Sequence, residues 1–242
     1  MAYFRQSTET NPMASDIAVI VGAGSGLSAA LARACAKRDM GVVLAARDIG
    51  KLSELAAETD ARLISCDAVD RRQVDALFRV VGEVGVPALV VYNASYRARG
   101  PFVELEPADV ERSVQVTALG GFHVAQAAAR QMLPLGRGSI FFTGASASVK
   151  GYAQSAPFAM GKFALRGLAQ SMARELAPKG LHVAHFVIDG GISRGPQDPR
   201  RERGADGLLD PAAIAETYLH VHGQARSAWT WEVELRPWIE AF

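Results

Sequence analysis

The chain has 242 residues, 49% hydrophobic and 21% charged, enough to build the core of one large α/β domain. A formal net charge of +1 gives no electrostatic footprint for nucleic acid or an acidic membrane surface, and no apolar run approaches the ~18 residues of a membrane span. Two cysteines, Cys35 and Cys66, are too few for a disulfide framework and read as small buried hydrophobes.

Residues 1–14 carry Arg5, Glu9, Asn11 and Pro12 without an apolar core, so they read as a flexible tail and not a signal peptide. A cytoplasmic protein is the expectation. From residue 15 to 242 the pattern is that of a single domain. Ile17-Ala18-Val19-Ile20-Val21 is a buried strand that runs into Gly22-Ala23-Gly24-Ser25-Gly26-Leu27-Ser28, and a helical pattern follows from Leu27 to Arg38. A strand, a glycine turn and a helix start in that order form the front edge of a dinucleotide-binding unit. Glycines let the backbone turn sharply and approach a pyrophosphate, whose charge meets the free N–H groups of the helix.

Gly41 to Ala46 is a second strand, and Ile49 to Thr59 a helix. Arg62 to Cys66 is the third strand, followed by Asp67 and a helix from Asp70 to Val81; Ala88 to Tyr92 is the fourth. A long helix is predicted from Ala108 to Met132, broken near Gly120-Gly121. Gly138 to Phe142 is strand five, Phe158 to Leu176 a helix ended by Pro178-Lys179-Gly180, and Leu181 to Ile188 strand six. Residues 192–209, rich in Arg, Gly and Pro, read as a mobile substrate loop. Asp210-Pro211 caps a last helix to His222, and Trp231 to Leu235 closes the sheet. Strands alternating with helices at this spacing give a Rossmann-type, doubly wound parallel sheet.

The second strand bears on cofactor choice. NAD-preferring sites place an Asp or Glu at its end to accept the ribose hydroxyls. Ala45-Ala46 offers no carboxylate there, and Arg47 follows, whose guanidinium suits a 2′-phosphate. NADP(H) is therefore favoured over NAD(H). Against this, Arg47 at a strand end also has the simpler reading of a solvated side chain, with Asp48 beside it.

Taken together, the glycine turn, Asp67, Asn93-Ala94-Ser95 and the segment Phe158-Ala159-Met160-Gly161-Lys162 resemble the short-chain dehydrogenase/reductase family, over about residues 14–240. The resemblance implies that Asp67 bonds the adenine, that Asn93-Ala94-Ser95 stands for the family's Asn-Ala-Gly, and that Lys162 holds the nicotinamide ribose. It implies cofactor contacts at Gly22, Gly24, Ser25, Gly26, Leu27, Arg47, Asp67, Ala68, Asn93, Ala94, Ser95, Lys162, Gly190 and Ile192. Ser28 stands at the third glycine of the turn, and Asp189-Gly190-Gly191 where many members carry Pro-Gly; Asp189 reads as a turn former.

The catalytic positions depart from the family. The Tyr of its Tyr-x-x-x-Lys is Phe158, its Ser is Ala145 with Ser146 one residue on, and its Asn is Thr117. Phe158 has no proton to exchange, and a positioned general acid is typically worth about 10²–10⁴-fold. Lys162, Ser146 and Thr117 remain as catalytic candidates, with Tyr152 and Tyr96 as further hydroxyls within reach. Three readings stay open: an oxidoreductase reducing a carbonyl or an activated C=C of a small molecule, a catalytically silent dinucleotide sensor or scaffold, and a structural partner of an active relative. Arg97 and Arg99, and Arg194 in the loop, lie where an acidic substrate would enter, or are ordinary surface arginines. No metal site is expected: His220 and His222 do not share a helix face. The helices 108–132 and 158–176 resemble those that pair across subunits, with Ala125, Ala128, Ala129, Ala164 and Ala169 permitting close contact, so the expected partners are further copies of the chain, in a homodimer or homotetramer.

Overall fold

The computed structural model describes residues 16–204 and 206–240; the tail predicted over 1–14 lies outside the described residues. Seven parallel strands form one sheet: β1 (Asp16–Val21), β2 (Gly41–Ala46), β3 (Arg62–Ser65), β4 (Val86–Tyr92), β5 (Ser139–Thr143), β6 (His182–Ile188) and β7 (Glu232–Leu235), in the order β3-β2-β1-β4-β5-β6-β7. The central strands are mostly apolar and buried along their length because both faces are covered. Ile17, Val19 and Val21 of β1 enter one core, Ala18 and Ile20 the other.

Helices α1 (Leu27–Ala36), α2 (Ser53–Thr59) and α7 (Pro211–His222) line one face. On the other lie α3 (Arg71–Val84), α5 (Gly120–Met132) and α6 (Ala156–Leu176), with α4 (Pro107–Val114) packed against α6. Two predicted starts carry the expected caps: Asp70 accepts from Arg72 N–H at 2.9 Å, and Asp210 from Ala212 N–H at 3.0 Å ahead of Pro211. The order of strands reverses between β1 and β4, which opens a crevice at their carboxyl ends.

The long helix is broken next to Gly120-Gly121, as expected, where Gln115–Leu119 widens into a π-helical turn between α4 and α5. The two glycines lie inside regular helix and serve packing, since a Cβ on Gly121 would sit 2.7 Å from Leu165 and 3.3 Å from the Tyr92 ring. Ala125, Ala128, Ala129 and Ala169 are buried in the chain's own core, whereas Ala164 is exposed. The exposed large apolar residues of α5 and α6 are Phe122, Met160 and Phe163.

Segment 192–209, read as a loop, carries a short 3-10 turn at 199–203 and has a closed base. Ile192 bridges Leu209, Ser193 N–H donates to Leu209 O at 2.8 Å, and Leu209 N–H donates to Gly191 O at 2.9 Å. Inside it the buried Asp198 carboxylate accepts from Arg194 N–H and from the Arg200 guanidinium, which hold it well below the usual carboxylate range. Arg200 also donates to Ile192 O at 2.7 Å.

Candidate active site

The crevice has two connected halves. The first, a cavity of about 550 Å³, runs from the glycine turn past Arg47 and Asp67 to Asn93-Ala94-Ser95. Gly22 sits at φ +82°, and a Cβ there would collide with the Ala94 backbone, so the turn and the β4 end close on each other only as glycine. Ser28, buried on α1, donates to Gly22 O at 3.3 Å and accepts from the Asn93 amide at 2.7 Å. Its hydroxyl thus ties the turn to the end of β4, a link that glycine at this position lacks. Asn93 N–H also donates to Val21 O at 2.8 Å.

The test of fit to a dinucleotide comes from the same turn. Nothing lies within 4 Å of a Cβ built on Gly24 or Gly26, and no side chain among the described residues caps the start of α1. The helix N-terminus therefore faces open space at the mouth of the cavity, the arrangement that receives a pyrophosphate. Arg47 is exposed at the end of β2. Asp48, its neighbour, is engaged elsewhere: its carboxylate accepts from Gly50 N–H at 3.2 Å and pairs with Lys51 at 3.1 Å. Asp67 accepts from Val69 N–H at 3.1 Å, a turn bond, while it lines the cavity with Ala68.

The second half is a cavity of about 620 Å³ that shares Asn93 and Ser95 with the first. It is walled by Thr143 to Ser146 at the end of β5, by Phe158 and Lys162 on α6, and by Asp189 to Ile192 after β6. Lys162 is 3% exposed, and its ammonium donates to Thr143 O at 2.6 Å. Burial without a carboxylate partner pushes its pKa down to about 7. The lysine is therefore poised between charged and neutral near physiological pH. The Phe158 ring lies between two cations: Lys162 Nζ is 5.7 Å from its centroid, and Arg97 Cζ is 4.9 Å away.

The sequence-level candidates separate here. Ser146 and Tyr152 line the cavity with Lys162, and Ala145 presents only a methyl group. Thr117 is fully buried on the π-helical turn, and its hydroxyl accepts from Tyr96 N–H at 3.3 Å; it braces the wall and does not line the cavity. The Tyr96 hydroxyl, named above as a possible donor, is bonded to Asp109 at 2.6 Å, which raises its pKa. Asp189 is more than a turn former: its buried carboxylate pairs with Lys150 at 3.5 Å and Arg236 at 3.1 Å, joining the serine segment to the chain beyond β7. Sequence reading missed Arg236 and Glu240, which reach the site only through the C-terminal fold. His185 is packed behind Gly144, and its Nε2 has no hydrogen-bond partner among the described residues. Burial pushes His185 down to about 4, so the ring is neutral, with Nδ1 3.1 Å from Glu232.

Elsewhere, both cysteines are free and buried, with thiols pushed up to about 12 for Cys35 and about 11 for Cys66. His220 is exposed, whereas His222 turns inward to Ser139 at 2.8 Å. No helix of the described residues is long and apolar enough to cross a membrane.

Glycine turn, uncapped helix, crevice at the strand reversal and a lysine beside it define a nucleotide-binding oxidoreductase fold, and sequence comparison agrees. Residues 16–195 match the short chain dehydrogenase family, and the chain belongs to it. The crystal structure of a short-chain dehydrogenase from Rhodopseudomonas palustris is 33% identical, superposes with a TM-score of 0.80, and aligns over 94% of this chain and 100% of its own. A metagenomic short-chain oxidoreductase, solved in complex with NADP, is 26% identical with a TM-score of 0.79 over 93% of this chain and 98% of its own. An uncharacterized oxidoreductase of Staphylococcus aureus is 25% identical over 91% of this chain and 96% of its own.

Proposed function

We propose that the chain is an NADP(H)-dependent reductase of a small molecule, working without the tyrosine that its family uses as proton donor. The observation that carries the cofactor choice is the end of β2. Ala45-Ala46 presents no acceptor for ribose hydroxyls, Arg47 is exposed beside the cavity, and Asp48 is committed to Lys51 and Gly50 N–H. A solved relative that binds NADP supports the reading.

A bound nicotinamide would supply the hydride chemistry, and Asn93 and Ser95, shared by the two cavities, would lie beside it. Lys162, with its ammonium on Thr143 O, is placed to hold the nicotinamide ribose. Phe158 excludes water and offers no proton. A polarised C=C bond is the substrate type that suits this wall, because hydride adds at carbon and the proton arrives from solvent or from the Ser146 or Tyr152 hydroxyl. The same Phe158 and Ala145 favour one second reading, a protein that binds NADP(H) without turning over.

The test is a titration with NADPH and NADH followed by cofactor fluorescence and thermal unfolding, since a ligand selective for the native state raises stability. Tighter binding of NADPH, followed by its oxidation with an enone, supports the reductase. Tight binding with no oxidation by enones or ketones favours the sensor, and binding of neither cofactor overturns both. The exposed Phe122, Met160 and Phe163 are the surface we assign to self-association in a homodimer or homotetramer. Phe163→Asp is expected to shift the protein to monomer in sedimentation velocity; an unchanged assembly would place the interface elsewhere.

A further inference from the structure

Beside the substrate cavity lies an annex of about 180 Å³ that shares Arg97, Arg99, Ser146, Tyr152 and Phe158 with it. Its floor is the Phe158 ring, and the Arg97 guanidinium stacks on that ring from the β4–α4 connection. The connection is itself fixed: Gly100 N–H donates to Gln154 O at 3.2 Å, which ties it to the segment carrying Tyr152. Neither Arg97 nor Arg99 forms an ion pair with any acidic side chain among the described residues.

The charge balance of this wall is unusual for a catalytic cleft. Two acidic residues line the main cavity, Asp189 and Glu240. Asp189 is already paired with Lys150 and Arg236. Across from them stand two guanidiniums without an ion pair among the described residues; burial, and after it the nearby Arg99 charge, lowers the pKa of Arg97. Both side chains are exposed at the mouth of the recess, where the two like charges repel each other and an anion between them would relieve that repulsion. Guanidinium forks also match the planar geometry of a carboxylate, which they bind bidentately. The Ser146 and Tyr152 hydroxyls supply further donors on the same recess.

We infer that Arg97 and Arg99 form a carboxylate-binding subsite, and that the substrate is a small organic acid whose carboxylate sits in the annex while its reducible bond faces the main cavity. The inference deepens the reductase reading and rests on it for the reducible bond, but not for the anion. On this view Phe158 has a positive role. It replaces a proton donor with an apolar platform that holds Arg97 in place.

The experiment compares one probe in two forms, trans-4-oxo-2-pentenoate and its methyl ester, which share an enone and differ by one charge. Binding is measured by calorimetry to the full-length protein saturated with NADP⁺, where no turnover occurs. The wild type is expected to bind the acid about 10–100-fold tighter than the ester, in line with charge-assisted hydrogen bonds. Arg97→Gln and Arg99→Gln are each expected to lower acid binding toward that of the ester. Both variants should leave ester binding and NADPH affinity unchanged, a pattern that general damage to the fold does not produce. Arg97→Lys should recover part of the preference through charge alone, and raised ionic strength should erode it.

Equal binding of acid and ester, binding of neither, or glutamine variants that keep the preference would each overturn the assignment. Failure of the reductase reading shows differently. If NADP⁺ and NADPH do not bind, the acid and ester are compared on the cofactor-free protein, and the same preference decides the subsite by itself.

Discussion

The two halves of the crevice are built in opposite ways. The nucleotide half is made of backbone and small side chains: Gly22 against Ala94, the open edges of Gly24 and Gly26, and Ser28 bonded to both Gly22 and Asn93. The substrate half is made of long charged side chains reaching in from distant parts of the chain, with Lys162, Arg97, Lys150 and Arg236 around Phe158 and Asp189. Backbone-built sites tolerate little change, because a Cβ has nowhere to go. Side-chain-built sites are re-equipped one residue at a time, and Phe158 and Ala145 stand in a half of that second kind.

The sharpest way to break this comparison is at Gly22. Gly22→Val combines a left-handed backbone with a collision against Ala94, so loss of NADPH binding and destabilisation by about 2–4 kcal/mol are expected in denaturant unfolding. Near-normal binding would mean that the turn shifts freely. The substrate half is tested by adding what it lacks. Phe158→Tyr with Ala145→Ser is expected to raise ketone reduction, by up to about 10²-fold if the new hydroxyls find the family geometry. No gain would show that the Arg97 wall has rebuilt the site beyond such repair.

Lys162→Met separates the halves by pH. Because burial lowers the folded pKa from 10.5 to about 7, the unfolded chain binds the extra proton between those values. Native stability therefore rises with pH across that window, and the burial penalty is fully present below it. Cofactor-free Lys162→Met should exceed the wild type by about 2–4 kcal/mol at pH 6, and the gain should vanish near pH 10.5. A pH-independent difference would contradict a desolvated lysine. The smallest expected effect is at Arg47: Arg47→Ser should weaken NADPH about 10-fold and leave NADH unchanged, as read by fluorescence titration. Equal weakening of both would assign Arg47 to something other than the 2′-phosphate.

The strand, glycine turn and helix start that border the first cavity were legible because their signals are local. They are contiguous in the sequence, and Asp70 and Asp210 stand immediately before the helices they cap. The substrate half resisted for the opposite reason. Arg97 meets Phe158 across 61 positions, and Asp189 meets Lys150 across 39, and nothing in either neighbourhood marks the other. Helical spacing shows that the alanine face of α5 and α6 is small and apolar, not which neighbour covers it. The π-helical turn at Gln115–Leu119 has no composition signal of its own; only the glycines that follow it mark the break.

The C-terminal closure described above has a consequence for how the protein comes off the ribosome. Every residue of the nucleotide cavity has been synthesised by Val116, yet the substrate cavity waits for Glu240, and Pro237 packs on Gly190 only after β7 has joined β6. Those final roughly 120 residues take on the order of 6–25 s to translate at ~5–20 residues per second. The two cavities are thus separated in time as well as in construction, and the second is completed after the first.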